Sequence, residues 1–312
     1  MNKHILENLD LLTSALTSLS AQKKWLDSKW FYDNAGSAIF EEITELPEYY
    51  PTRTEVAILN KNIDQLQQYI PDGAALVELG SGSSTKTRIL LDKFDNLNAY
   101  LPLDISEDFL KHSANDIAIQ YPNLIVDPLV ADFMSPFEFP TNYMDRTKVA
   151  FFPGSTIGNL EADKAINLLA SVHRWDKISA FIIGIDLVKD TNILIQAYDD
   201  AAGVTAAFNL NILRRLNREI GANFDLAQFK HEARWNTEKS RIEMHLVSLV
   251  AQTVEIGTKI LTFAAGESIH TENSHKYTRE SFEQIANQSG WNIRKFITDE
   301  DDLFAIAVLS PK

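Results

Sequence analysis

Val77–Lys86 reads V-E-L-G-S-G-S-S-T-K, and the reading of this stretch decides the fold. The apolar run Ala74, Ala75, Leu76, Val77 and Leu79 leads into two glycines one residue apart. Ser83, Ser84 and Thr85 can then cap a helix whose apolar side continues at Ile89, Leu90 and Leu91. The pattern predicts strand, tight turn and helix. Glycines at 80 and 82 let the backbone turn sharply and let a ligand come close to it. Position 85, where the dinucleotide fingerprint G-x-G-x-x-G carries its third glycine, is Thr. That glycine serves close helix–strand packing beside a pyrophosphate, so its absence argues for a nucleoside ligand without one. S-adenosyl-L-methionine fits, because its amino-acid end is zwitterionic and suits loop N–H groups and a helix N-terminus.

Downstream, the same strand-then-helix rhythm repeats. A second strand, Ala99–Leu103, ends in Asp104, with Ser106 placed to cap a helix over 106–121. A third, Leu124–Val130, ends in Ala131-Asp132-Phe133, and a fourth, Val149–Phe152, runs into P-G-S-T-I-G-N-L. After a helix over 161–175, a fifth strand, Ala180–Ile185, ends at Asp186. Strands alternating with helices predict a parallel sheet covered on both faces, with ligands outside the carboxyl ends of its strands. Upstream, Thr52-x-x-Glu55 has the form of a capping box opening a helix with Val56, Leu59, Ile63, Leu66 and Ile70 on one face. Residues 29–55 are rich in aromatics, and Ala35-Gly36, Pro47 and Pro51 predict loop or broken helix there, the setting of a site lining. Before them, Leu9, Leu12, Leu16 and Leu19 mark the buried face of a packing helix.

Beyond Asp186 the character changes. Residues 191–223 read as helix with a G-V-T interruption, and 233–265 alternate apolar and polar as antiparallel strands do. A helix over 278–288 is stopped by Gly290, and Asn292–Thr298 and Leu303–Leu309 read as a terminal hairpin. The fold class is α/β, with a smaller α+β insertion that the N-terminal segment joins. Residues 56–190 and 276–312 form the core, and 1–55 and 191–275 the second domain.

Bulk properties narrow the function. A net charge of −14 disfavours nucleic acid and anionic membranes as partners. No apolar run reaches bilayer-spanning length, and the opening M-N-K-H-I-L-E-N-L-D lacks the basic-then-apolar layout of a signal peptide. With no cysteine there is no disulfide scaffold, thiolate metal site or thiol nucleophile. The seven histidines are scattered, and His245 reads as an outward or satisfied residue, so no metal is expected. A cytoplasmic monomer is the expected state.

The strand ends carry the chemistry. Asp104 can accept hydrogen bonds from ribose hydroxyls, or serve only as a helix cap. Asp132 can hold an adenine amino group while Phe133 packs the base, and Lys86 either faces a ligand carboxylate or is solvated.

Residues 29–55, E-L-G-S-G-S-S-T-K-T, P-L-D-I-S, P-G-S-T-I-G-N, A-Y-D-D-A-A-G-V-T-A-A-F-N (197–209) and H-T-E-N-S-H-K-Y (270–277) resemble, in the same order, the histidine-specific N-alpha-methyltransferases of the ergothioneine pathway. The resemblance runs from about residue 25 through nearly the whole chain and implies a Rossmann-like class I methyltransferase core with an inserted substrate domain. It implies that Tyr49, Gly154, Asn159 and Tyr198 hold the amino acid L-histidine, with Asn159 and Tyr198 on its carboxylate. By the same match Glu272 and Ser274 bond the imidazole, Phe40 and Met244 wall the pocket, and Tyr32 lies near the amine. Gly80, Ser81, Gly82, Lys86, Asp104, Asp132 and Phe133 match the cofactor contacts. Asn273 stands where the family has an apolar residue, and strand alternation turns it away from Glu272 and Ser274.

The expected reaction is attack by a neutral α-amine on a sulfonium methyl, oriented by Tyr32 and Tyr49, with no strong general base evident. Repetition to the trimethylated betaine, hercynine, would place positive charge near Phe40, Tyr49 and Tyr32, where each ring contributes ~0.5–2 kcal/mol of cation–π attraction. Rival readings are the same chemistry on another amine such as tryptophan, and a non-catalytic S-adenosylmethionine-binding protein.

Overall fold

The computed structural model describes residues 3–82, 85–135 and 137–312, with side chains from residue 9 onward. Ser83 and Ser84, two of the expected caps, lie outside the described residues; the helix after the glycine turn runs Thr85–Leu91. The chain divides into two compact units: Met1–Tyr50 with Asp190–Ser274, here the insert unit, and Pro51–Lys189 with His275–Lys312, here the sheet unit.

The sheet unit is built on β1 (Ala75–Leu79), β2 (Ala99–Asp104), β3 (Ile125–Val126), β4 (Leu129–Val130), β5 (Lys148–Phe152) and β6 (Ile178–Asp186). β1 lies between β2 and β5, and β6 pairs β5, all parallel. Every residue of β1 and β5 is buried, as a strand covered on both faces requires. Alternation along β5 sorts the core. Val149 and Phe151 pack with Ile58, Leu59, Ile63 and Leu66 of the helix Tyr50–Gln67. Ala150 and Phe152 pack with Leu168, Leu169 and Val172 of the helix Ala162–His173. After β6 the chain supplies the insert unit's strands, β7 (Phe229–Asn236), β8 (Arg241–Ser248), β9 (Gln252–Ile256), β10 (Lys259–Phe263) and β11 (Ser268–His275). It returns through the helix Arg279–Gln288, capped by a Thr278–Ser281 capping box, to β12 (Trp291–Thr298) and β13 (Phe304–Pro311). These two form the expected antiparallel hairpin, and β13 also pairs β6 antiparallel, giving the order β12-β13-β6-β5-β1-β2-β3.

The insert unit has a three-stranded sheet, β11-β8-β7, and the hairpin β9–β10. Its longest helix after residue 190, Val204–Ile220, is bracketed by Gly203 and Gly221, both left-handed at φ +75° and +66°. Phe208, Ile212 and Leu216 are buried along it at helical spacing.

Several local expectations are corrected. Thr52 is not a cap: the helix begins at Tyr50, with Pro51 in the first turn, where the missing N–H costs nothing. Residues 34–44 are a continuous helix, capped by Asp33, whose side chain accepts from Gly36 N–H. Gly36 does not interrupt it; a Cβ there would lie 1.8 Å from the Phe31 carbonyl oxygen, so only glycine admits that approach. The third strand is split into β3 and β4, both pairing β2. Ser106 holds the N-cap position without a side-chain cap bond. The N-terminal helix, Lys3–Leu19, buries Leu11, Ala15, Ser18 and Leu19, while Leu9 is half exposed. Among the described residues no helix is long and apolar enough to cross a membrane.

Candidate active site

At the carboxyl edge of the sheet unit, Gly80 and Gly82 take φ +64° and +49°, conformations that side chains resist. Gly80 and Ser81 donate their N–H groups to Leu103 O at 2.8 and 3.3 Å, which pins the turn to β2. Among the described residues, a Cβ on Gly82 would meet nothing within 4 Å, so a ligand has room beside that backbone, while one on Gly80 would touch Phe133 at 3.5 Å. This cradle fits S-adenosylmethionine.

Asp104, closing β2, accepts the Ser106 N–H at 2.9 Å. Burial pushes its carboxyl up, opposed by the N–H groups of Ser106, Gly82 and Ile105. Phe133 is half-buried and packs edge-on against Phe152 with ring centroids 5.4 Å apart. Gly80, Gly82, Asp104 and Phe133 are thus brought together. Asp132 is exposed, and its Oδ1 takes the Met134 N–H at 2.8 Å while its Oδ2 accepts from the Ser135 hydroxyl at 3.4 Å, bonds that stabilise the turn.

Lys86 is not solvated. Its Nζ lies 2.5 Å from Oε2 of Glu55, a fully buried carboxylate that also accepts the Gly154 N–H on both oxygens, at 3.1 and 2.9 Å. Gly154 (φ +78°) and Ser155 (φ +55°) form a left-handed pair ahead of the short 3-10 turn Thr156–Asn159, which carries the half-buried Asn159. The Ser155 hydroxyl accepts the Asp186 N–H at 2.9 Å, tying this loop to the end of β6. Asp186 is buried between Lys276 and Lys189; burial works to raise its carboxyl, but the two ammonium groups hold it below the usual range. Burial outweighs Asp186 at Lys189 and lowers that lysine to about 8. Within β1, Glu78 accepts from the Tyr100 hydroxyl, and burial lifts its carboxyl to about 8, so it stays protonated at neutral pH.

In the insert unit, a row of rings gathers residues far apart in sequence. Tyr32 meets Phe40 (5.7 Å), Phe40 meets Tyr49 (6.3 Å), and Tyr49 meets Tyr198 (6.1 Å). Phe208 packs against Phe31, Tyr32 and Phe40, with centroids 4.7 to 5.9 Å apart. The row ends on the Tyr198 hydroxyl, 2.7 Å from Ser274 Oγ. Glu272 is buried two residues earlier on the same strand. Met244 is buried on β8, and its carbonyl accepts from Thr271, the neighbour of Glu272, at 3.0 Å.

Behind Tyr198 lies a neutral network. Asn209 Nδ2 contacts both His231 Nδ1 at 2.7 Å and the His245 carbonyl at 3.1 Å, while its Oδ1 accepts from Thr271. A carbonyl only accepts, so the Asn209 amide donates to His231 Nδ1, and His231 donates from Nε2 to the Tyr198 carbonyl at 2.7 Å. Burial lowers the His231 pKa, which keeps this tautomer neutral. His245 is buried rather than outward, stacked on His270 at 4.9 Å, and pushed down to about 4 by burial and by Arg234 and His270. Glu243 joins this pair as a group of metal-capable atoms within 4.8 Å of one another, and its carboxylate is bonded to Arg241 and Asn236.

Sequence reading missed Glu55 and Phe208. Glu55 sits on the same helix face as Leu59, Ile63 and Leu66, and an acid in an apolar stripe was the available signal. Phe208 belongs to the buried stripe of its helix, a pattern that marks core without marking a site.

The CcbJ methyltransferase of Streptomyces caelestis superposes with a TM-score of 0.50 over 90% of this chain and 99% of its own, at 15% identity. The fold is thus Rossmann-like, a mostly parallel sheet with a glycine turn at its carboxyl edge. The histidine N-alpha-methyltransferases of Mycolicibacterium smegmatis and Mycobacterium tuberculosis are 42% and 38% identical, covering 93% and 96% of this chain and 91% and 95% of theirs. The model of the S-adenosylmethionine-dependent histidine-specific methyltransferases matches residues 11–311, and the chain belongs to that family.

Proposed function

We propose that this protein methylates the α-amine of L-histidine, through to the trimethylated betaine hercynine, in ergothioneine biosynthesis. The observation that carries the reading is the continuous contact of Tyr32, Phe40, Tyr49, Tyr198 and Ser274, with Glu272 buried beside them on β11. When bound, S-adenosylmethionine supplies an electrophilic methyl on a sulfonium.

The chain's residues bind and orient. Gly80, Ser81 and Gly82 line the cofactor's amino-acid end with backbone, Lys86 faces its carboxylate, Asp104 accepts from its ribose, and Asp132 and Phe133 hold its base. Glu272 and Ser274 satisfy the two nitrogens of the substrate imidazole; a site that pairs both rejects apolar analogues, whose binding leaves its polar groups unpaired. Asn159 and Tyr198 take the substrate carboxylate, Gly154 and Tyr49 its amino-acid backbone, and Phe40 and Met244 its flanks. Tyr32 and Tyr49 orient the amine once it is neutral, and orientation alone is worth ~7–11 kcal/mol. The ring faces favour the ammonium that develops with each round. The setting we propose is a cytoplasmic monomer bound to neither nucleic acid nor membrane, supported by the net charge of −14.

Incubation with S-adenosylmethionine and each of the twenty common amino acids, read by mass, tests this directly. One to three added methyl groups on histidine alone are expected. Methylation of tryptophan in preference to histidine, or of no amino acid, would overturn it.

A further inference from the structure

Glu55 occupies a place that stability does not explain. Its carboxylate is wholly buried, and a buried ion pair seldom stabilises a fold more than well-packed apolar groups do. Strand β6 also gives up a side chain for it: a Cβ at Gly184 would lie 2.0 Å from Glu55 Oε1, and glycine inside a strand weakens that strand. What Glu55 does instead is join two segments. One is the helix after the glycine turn, through Lys86 Nζ; the other is the loop after β5, through the Gly154 N–H. That loop holds two successive left-handed residues, one of them non-glycine, a conformation that needs outside anchoring to persist.

We propose that Glu55 is a positioning residue, a strut that sets Lys86 and Gly154 against one another and thereby fixes the cofactor contact and the amino-acid contact together. The proposal rests on the ligand assignments made above. With one of its donors spent on Glu55, the Lys86 ammonium keeps two more for a ligand carboxylate, and its charge is compensated so that it does not repel a sulfonium. Withdrawing the carboxylate frees both segments at once.

Glu55→Gln keeps the shape of the side chain and removes its charge. In the full-length protein, the Kd for S-adenosylhomocysteine and the KM for histidine are each expected to rise tenfold or more. The Gly154 amide proton, read by NMR without ligands, is expected to shift upfield as its charged acceptor is lost. Glu55→Asp keeps the charge but withdraws it by one methylene; it is expected to give the same losses, and it serves where Glu55→Gln does not fold. Ligand constants within twofold of wild type, with only the melting temperature lowered, would overturn the proposal. So would loss of S-adenosylhomocysteine affinity with histidine KM unchanged, since Glu55 would then act through Lys86 alone. The amide shift and the S-adenosylhomocysteine affinity need no turnover. A wild type that binds S-adenosylhomocysteine and ignores histidine therefore sinks the functional reading, while a Gly154 signal indifferent to both variants sinks the strut.

Discussion

The sheet edge and the ring row of the insert unit hold their polar groups in opposite ways. At the sheet edge, charges are buried in compensated sets, Glu55 with Lys86 and Asp186 with Lys189 and Lys276; the Glu55 carboxylate accepts the Gly154 N–H, and the Asp186 N–H donates to the Ser155 hydroxyl of the same loop. In the insert unit, the row from Tyr32 to Tyr198 offers ring faces and hydroxyls, backed by a neutral His231. The first arrangement fixes backbone for a ligand gripped through its polar edges. In the function proposed above, the second presents π-electron faces to a group that becomes more cationic as it reacts.

The largest effect that can break this comparison is expected at Gly36. Alanine there drives a methyl into the Phe31 carbonyl, a backbone atom that cannot swing aside, and disturbs the Phe31–Phe208 stack at the head of the ring row. Overpacking of this kind costs ~3 kcal/mol, and in a chain of 312 residues a loss of roughly 4–6 °C in Tm is expected by calorimetry. An unchanged Tm would mean that the row is not held from its first residue. Gly184→Ala meets a side-chain carboxylate instead and is expected to lose less Tm, with its main effect on ligand affinity.

A smaller effect sharpens the chemistry of the row. Tyr198→Phe keeps the ring against Tyr49 and deletes the hydroxyl that meets Ser274. One such bond is worth ~0.5–1.5 kcal/mol, so the histidine KM is expected to rise about 2- to 13-fold while the Kd for S-adenosylhomocysteine holds. Equal changes in both constants would contradict the division of labour.

Outside the ring row, a further expected effect is a slope. Glu78 has a folded-state pKa of about 8 against an ordinary 4.5, because burial disfavours its charged form. The folded protein therefore holds a proton that the unfolded chain releases, and the resulting stability is full below pH 4.5 and lost progressively up to about 8. Glu78→Gln carries no such proton. The Tm of the variant relative to wild type is expected to climb between pH 5 and 8 and to level off above that. A difference independent of pH would show that Glu78 is ionised in the fold.

Much of this was legible in the sequence because it is local. The β1–glycine–helix turn, the Thr278 start of the last long helix and the terminal hairpin all follow from periodicity and turn residues. The rest depends on partners that no local window contains. Asp33 caps the helix beginning at Asn34, yet it also takes bonds from Asn211, 178 residues away, and Arg218, 185 away. Glu55 meets Gly154 across 99 residues, so its T-x-x-E spacing looked like a cap when its tertiary role is a buried counter-ion. Gly36 looked like a helix breaker because the close approach that selects glycine comes from the preceding turn.

The most direct measurement is a crossed titration. Wild type, Asp104→Ala and Glu272→Ala are each titrated calorimetrically with S-adenosylhomocysteine and with histidine. Loss of a hydrogen bond to a charged group, at ~1.5–3 kcal/mol, corresponds to roughly 10- to 150-fold. Asp104→Ala is expected to lose that much for S-adenosylhomocysteine and little for histidine, and Glu272→Ala to show the reverse. Parallel losses for both ligands in both variants would contradict the account.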